Sequence, residues 1–224
     1  MIPSTILRHQ LFSLGTLASD DGMKLFSFLE SNAAAYEFSQ RLVSFNFRAF
    51  LRELRAEQFF QTGLSYLDLG CGTGFLRDHL RNADYLGVDL NPAYIAAARR
   101  KRGECFQVGD ALEIGNLSRQ FDRIIAIGLL HHLDDRQVRT VLAGARQRLR
   151  PGGEIFIIDA LWPPDNNRLG RILRGSDNGA YVRTLAEWEK LFAVELKFHR
   201  LRPFAQWPCD YVFLRAAETT ASIQ

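Results

Sequence analysis

Residues 67–74 read Leu-Asp-Leu-Gly-Cys-Gly-Thr-Gly, and no other stretch constrains the fold as much. Leu64-Ser65-Tyr66-Leu67-Asp68-Leu69 has the apolar density of a short buried strand, and Phe75-Leu76-Arg77-Asp78-His79-Leu80 has helical spacing. Gly70, Gly72 and Gly74 join the two. A strand that turns through glycines into a helix lets backbone N–H groups approach a ligand, because no Cβ stands in the way. A second strand, Tyr85-Leu86-Gly87-Val88, ends in Asp89, a placement suited to accepting hydrogen bonds from a ribose. The pair points to a nucleoside-containing ligand.

Glycine spacing then separates two ligand classes. A dinucleotide fingerprint needs Gly-x-Gly-x-x-Gly, whereas these glycines fall as Gly-x-Gly-x-Gly. Asp68, just before the turn, would repel a pyrophosphate and attract a ligand bearing an ammonium and a sulfonium. The electrostatics favour S-adenosylmethionine over a nicotinamide dinucleotide.

From Leu64 onward strands alternate with helices. Strands are expected at 64–69, 85–89, 104–108, 121–127 and 153–159, each nearly continuously apolar or β-branched. Asn91-Pro92 fits an N-cap followed by a first-turn proline, ahead of a helix from Ala93 to Arg102. Asp134 or Asp135 can cap a helix carrying Val138, Val141, Leu142, Ala145 and Leu149 on one face, with Pro151-Gly152-Gly153 stopping it. This rhythm implies a doubly wound parallel sheet. Thr184-Leu185-Ala186-Glu187 is a capping box opening a helix to Phe192, and further strands are expected near 193–199 and 209–215.

Two segments break the rhythm. Residues 1–62 read as an N-terminal helical cap, with Phe38, Leu42, Phe45, Ala49 and Leu54 on one face of a helix, ahead of a main domain at 63–217. Residues 161–183, with Trp162-Pro163-Pro164-Asp165 and Arg168, Arg171, Arg174 and Arg183, are too long for a plain connection and read as a lid or a local insertion. Residues 218–224 read as a frayed tail.

A net charge of +3 is too small to imply nucleic-acid binding, and the sole basic cluster is Arg99-Arg100-Lys101-Arg102. Cys71, Cys105 and Cys209 are odd in number and lack Cys-x-x-Cys spacing, which argues against a disulfide framework or a zinc site. With no signal-like N-terminus and no apolar run of membrane-spanning length, the expected setting is the cytoplasm. Oligomeric state is not legible.

Leu67 to Gly74 resembles motif I of the class I S-adenosylmethionine-dependent methyltransferases. The likeness continues through Gly87-Val88-Asp89-Leu90-Asn91-Pro92, Val108-Gly109-Asp110-Ala111, Phe121-Asp122-Arg123-Ile124-Ile125, Leu130-His131-His132-Leu133 and Leu149-Arg150-Pro151-Gly152-Gly153. In motif style it is similar to ubiquinone and menaquinone C-methyltransferases and natural-product O-methyltransferases. The resemblance implies an α/β, Rossmann-like sheet of seven strands, the last antiparallel, with helices on both faces. It implies S-adenosyl-L-methionine as donor and S-adenosyl-L-homocysteine as product. Gly70, Cys71, Gly72 and Gly74 would line the methionine part, with Asp68 acting on its ammonium; Asp89 and Leu90 would serve the ribose side. Asp110 and Ala111 would meet the adenine, and Gly128 and Leu129 would lie beside the sulfonium.

The acceptor side is less legible. His131 or His132 could remove a proton from an acceptor hydroxyl, or both could simply build the turn. Arg168 and Arg174, with Arg171 and Arg183, could clamp an anionic small molecule or form a solvated face. Tyr36 and Tyr181 are candidates for acceptor contact. The expected activity is methyl transfer to oxygen or carbon of a small molecule. Its alternatives are a non-catalytic cofactor-binding protein on the same fold and a nucleic-acid methyltransferase. The latter is disfavoured because Gly128-Leu129-Leu130-His131 stands where amino-methylating enzymes carry a Pro-Pro-aromatic sequence.

Overall fold

The computed structural model describes residues 47–175, 179–206 and 208–217; most of the expected N-terminal cap, Tyr36 within it and the C-terminal tail lie outside the described residues. Helix α1 (Arg48–Ala56) is followed by β1 (Ser65–Leu69), a 3-10 turn (Phe75–His79), β2 (Asp84–Asp89), α2 (Pro92–Arg102) and β3 (Phe106–Val108). A second 3-10 turn (Ala111–Asn116) leads to β4 (Phe121–Ile127), and a third (Leu130–His132) to α3 (Asp135–Gln147). Strand β5 (Leu149–Leu161), α4 (Arg168–Gly175), α5 (Leu185–Glu195), β6 (Lys197–Gln206) and β7 (Cys209–Ala217) complete the chain.

The seven strands form one sheet in the order β3-β2-β1-β4-β5-β7-β6. The first five run parallel, and β7 is antiparallel to both β5 and β6. Reversal of order beside β1 opens the crevice where α/β sheets bind ligands, at the carboxyl ends of the strands.

Alternating side chains feed two cores. Leu67, Leu69, Ile124, Ala126, Ile155 and Ile157 face α3 and α5, where Val138, Leu142, Trp188 and Phe192 cover them. Tyr66, Ile125, Phe156, Ile158 and Phe213 face α1 and α2, meeting Phe50, Leu54, Ile95 and Ala98. Trp188 is wholly buried, and its indole N–H donates to the Ala160 carbonyl at 3.0 Å, so the largest fully buried side chain among the described residues leaves no orphan donor.

Helix starts follow the local chemistry. Asn91 accepts from the Ala93 N–H at 2.9 Å ahead of Pro92. Asp134, not Asp135, caps α3 in a reciprocal box with Gln137, and Thr184 does the same with Glu187 for α5.

Two expected boundaries move. Helix α3 ends at Gln147, and Leu149 starts β5 because it pairs with Phe121 while Arg150 binds Asp122 at 2.9 Å. Helix α5 runs to Glu195, through residues read as strand, since nothing between Phe192 and Glu195 breaks it. Helix α1 is held on the sheet by charge as well as packing. Buried Glu57 accepts from Arg200 at 2.6 Å and Arg215 at 3.2 Å, and buried Glu53 pairs with Arg202. Among the described residues no helix is long and apolar enough to cross a membrane.

Candidate active site

Every motif singled out at the carboxyl ends of β1 to β4 arrives at one edge of the sheet. The N–H groups of Gly70 and Cys71 both donate to the Val88 carbonyl, at 2.8 and 3.1 Å, which folds the glycine turn back over β2. Gly70 has φ +66°, and a Cβ there would stand 3.0 Å from Leu129 Cδ1, so strain and crowding both favour glycine. The Cβ direction of Gly74 is filled by the Phe106 ring at 2.5 Å, which assigns this glycine to seating the loop on β3. Cys71 contributes loop shape: its buried thiol sits beside Gly87, and burial, then Asp68 and Asp89, push its pKa well up.

Asp89 ties the two loops together. One carboxylate oxygen accepts from the Gly72 N–H and the other from the Asn91 N–H, each at 2.8 Å. One lone pair on each oxygen remains for a pair of hydroxyls. Burial raises its pKa against the lowering effect of those N–H groups. Asp68 is 3% exposed and accepts from the Tyr85 hydroxyl at 2.6 Å. Burial pushes its carboxyl up to about 7, with Tyr85 lowering and Asp89 raising it. Among the described residues no arginine or lysine pairs with either carboxylate. An end of the sheet that gathers buried acids without a cation suits a cationic ligand and repels a pyrophosphate.

The other cofactor candidates flank these. Asp110 caps the turn after β3 by accepting from the Leu112 N–H at 2.9 Å, with Ala111 half-buried beside it and Leu90 59% exposed. Gly128 has φ +63° and donates to the Ile158 carbonyl at 2.8 Å, bringing β4's end against β5.

The two histidines separate. His132 is exposed, whereas His131 is buried with Nδ1 2.6 Å from Asp159 Oδ1. Asp159 is wholly buried and also accepts from the Leu130 and Ala160 N–H groups, both at 2.7 Å. Burial opposes its ionisation, but the His131 ring and those donors outweigh it and hold the carboxyl below its ordinary value. The ring's Cε1 lies 3.8 Å from the Cβ position of Gly128, and its Cδ2 only 2.0 Å from that of Gly179. The His131 carbonyl accepts from the Tyr181 N–H at 2.9 Å.

Sequence reasoning did not single out Asp159 or Tyr85. Asp159 carried a signal, a lone acid inside the apolar run Ile155 to Leu161; Tyr85 carried none. The arginines also sort themselves. Arg183 is buried and donates to Asp135 at 2.8 Å and to the carbonyls of Leu130, Leu133 and Tyr181. Arg174 donates to the Asp210 carbonyl at 2.9 Å and lies over the Tyr211 ring; Arg171 pairs with Asp165. Arg168 is exposed at the start of α4, and Tyr181 is 43% exposed. The ends of the 161–183 segment are pinned, with the Trp162 N–H donating to the Arg183 carbonyl at 2.8 Å.

Sheet order and strand directions give the Rossmann-like fold found in methyltransferases. The family model described as a methyltransferase domain matches residues 67–155. Over these residues the chain is similar to class I S-adenosylmethionine-dependent methyltransferases. A ubiquinone biosynthesis O-methyltransferase from Azorhizobium caulinodans is 33% identical, over 44% of this chain and 41% of its own length. The protein named Probable tRNA methyltransferase 9B from Mus musculus is 35% identical, over 46% of this chain and 24% of its own length. The chain therefore spans less than half of each of these relatives. Magnesium protoporphyrin IX methyltransferase from Synechocystis PCC 6803, solved with bound S-adenosylhomocysteine, shares the fold with a TM-score of 0.61 at 15% identity, over 97% of this chain and 100% of that one.

Proposed function

We propose that this protein moves a methyl group from S-adenosylmethionine to an oxygen or carbon of a small molecule, with His131 taking the acceptor's proton. The observation that carries this reading is the His131–Asp159 pair at the carboxyl ends of β4 and β5. Bound at the glycine turn, the donor supplies a sulfonium-activated methyl group and leaves as S-adenosylhomocysteine. The residues offered to it are Asp68 for the ammonium, Asp89 for the ribose hydroxyls and Asp110 with Ala111 for the adenine.

Asp159 is held in its ionised form, so the shared hydrogen belongs to His131 Nδ1, and the carboxylate stabilises the imidazolium formed when the ring takes up a proton. As the acceptor oxygen or carbon forms its bond to the methyl group, its proton passes to the His131 ring. The pinned 179–183 segment packs against this ring and excludes water, consistent with the lid reading of 161–183.

Similarity to O-methyltransferases supports a small acceptor, and similarity to a tRNA methyltransferase supports a second reading, a nucleic-acid acceptor. The basic end of α2 argues for the first, because part of it is already employed in the fold. Arg102 binds Asp78 at 2.8 Å and Arg99 donates to the Phe106 carbonyl at 2.7 Å. Calorimetry with the donor, then label transfer across phenols, enols, carboxylates and tRNA, tests this. Transfer to a small hydroxyl or carbon acid is expected. Transfer to tRNA alone would replace the reading, and binding without transfer to anything would favour the non-catalytic one.

A further inference from the structure

Asp68 sits at the end of β1 with its carboxylate closed off from solvent, and one described side chain donates to it: the Tyr85 hydroxyl, from the neighbouring strand, at 2.6 Å. Tyr85 is itself buried, its ring set 5.6 Å from that of Phe106 and 5.5 Å beneath the Arg77 guanidinium, so the hydroxyl has a fixed direction. Strand register puts Tyr85 beside Tyr66 and Gly87 beside Asp68, which aims the phenol along the strand toward the acid. We propose that Tyr85 is a positioning residue for cofactor binding, holding Asp68 aimed and charged for the ammonium of the cofactor's methionine end. This rests on the assignment of Asp68 to that ammonium.

Physical necessity stands behind the pairing. A buried carboxylate needs either a donor or a proton, and the neighbouring Asp89 carboxylate opposes the charge on Asp68. Asp89 stands at the end of β2; the Cys71 thiol on the glycine turn is kept protonated by burial and by these two acids, and the Cys105 thiol faces Tyr85 and Cys71. Burial leaves Asp68 titrating at about 7, so the Tyr85 hydroxyl decides how much of it is ionised at neutral pH. Without that hydroxyl the acid would keep its proton to higher pH and offer the ammonium a neutral group.

The test compares two probes, S-adenosylhomocysteine, which carries the ammonium, and 5′-methylthioadenosine, which lacks the amino-acid end. Their dissociation constants are measured by calorimetry between about pH 5.5 and 7.5, below the range near 8 where an α-amino group loses its proton. In the wild-type protein the preference for S-adenosylhomocysteine should climb as pH rises, since Asp68 ionises. Tyr85→Phe keeps the ring and removes only the donor. It should cut that preference about tenfold near pH 6, with the gap narrowing toward pH 7.5, as expected for a titration moved up by about one unit. Affinity for 5′-methylthioadenosine should not change. Asp68→Asn should flatten the pH dependence in either background. An unshifted pH profile in Tyr85→Phe, or equal weakening of both probes at every pH, overturns the proposal. A wild-type protein that binds neither probe would instead remove the cofactor assignment beneath it.

Discussion

His131 Nδ1 stands 2.6 Å from Asp159 Oδ1, across 28 residues of chain, and both groups are buried where β4 and β5 end side by side. Gly128 donating to Ile158 brings those ends together, so the pair is a product of the sheet's register. It sets the first prediction.

Asp159→Asn should leave donor affinity within about twofold and lower kcat by about 100-fold or more, the usual weight of a lost general base. His131→Ala should do the same, and the double variant should lose little more, because the two side chains act as one unit. Single-turnover label transfer measures this. Additive losses would separate the residues.

Gly179→Ala should be far worse than Gly175→Ala. A Cβ at Gly179 would stand 2.0 Å from His131 Cδ2, whereas at Gly175 it would meet nothing within 4 Å. Overpacking of this kind costs about 1–3 kcal/mol and would turn the ring away from Asp159. Thermal melts with kcat read both effects; equal behaviour of the two variants would contradict the close packing.

Asp89→Ala should weaken donor binding about 100-fold, since a charged acceptor to two ribose hydroxyls is lost. Calorimetry with S-adenosylhomocysteine measures it. An unchanged dissociation constant would contradict the ribose assignment.

Stability should fall as pH rises from about 4 to about 7. Asp68 titrates at about 7 in the folded chain against an ordinary 3.8, so the folded state holds a proton that the unfolded state has released. The slope has a limit of about 1.4 kcal/mol per pH unit for one such group. Asp159 acts oppositely, since its carboxyl is held below its ordinary value; its contribution is complete above that value and is lost only as pH falls through the lower one. Melts of wild-type and Asp68→Asn across this range test the point: the variant should lose Asp68's share of the slope and keep the part due to Asp89, whose pKa burial also raises.

Motifs that act locally were legible in the chain. Asn91-Pro92, the Thr184–Glu187 box and the strands at 121–127 needed only near neighbours in sequence, and they stand where expected. Boundaries that depend on pairing moved, as at Leu149. The arginines of 161–183 could not be sorted from sequence, because a guanidinium bound to the carbonyls of Leu130 and Leu133 has the same local context as one turned to solvent.

By itself the sequence determined the alternation of strand and helix and pointed to the class of ligand proposed for the glycine turn, because hydrophobic period, glycine spacing and the acid before the turn are written into contiguous residues. Tertiary structure decided which histidine is buried, which acid it meets and which phenol faces Asp68. Those choices follow from strand register and β5's approach to β4, which join residues far apart in the chain and leave no local signature in either partner.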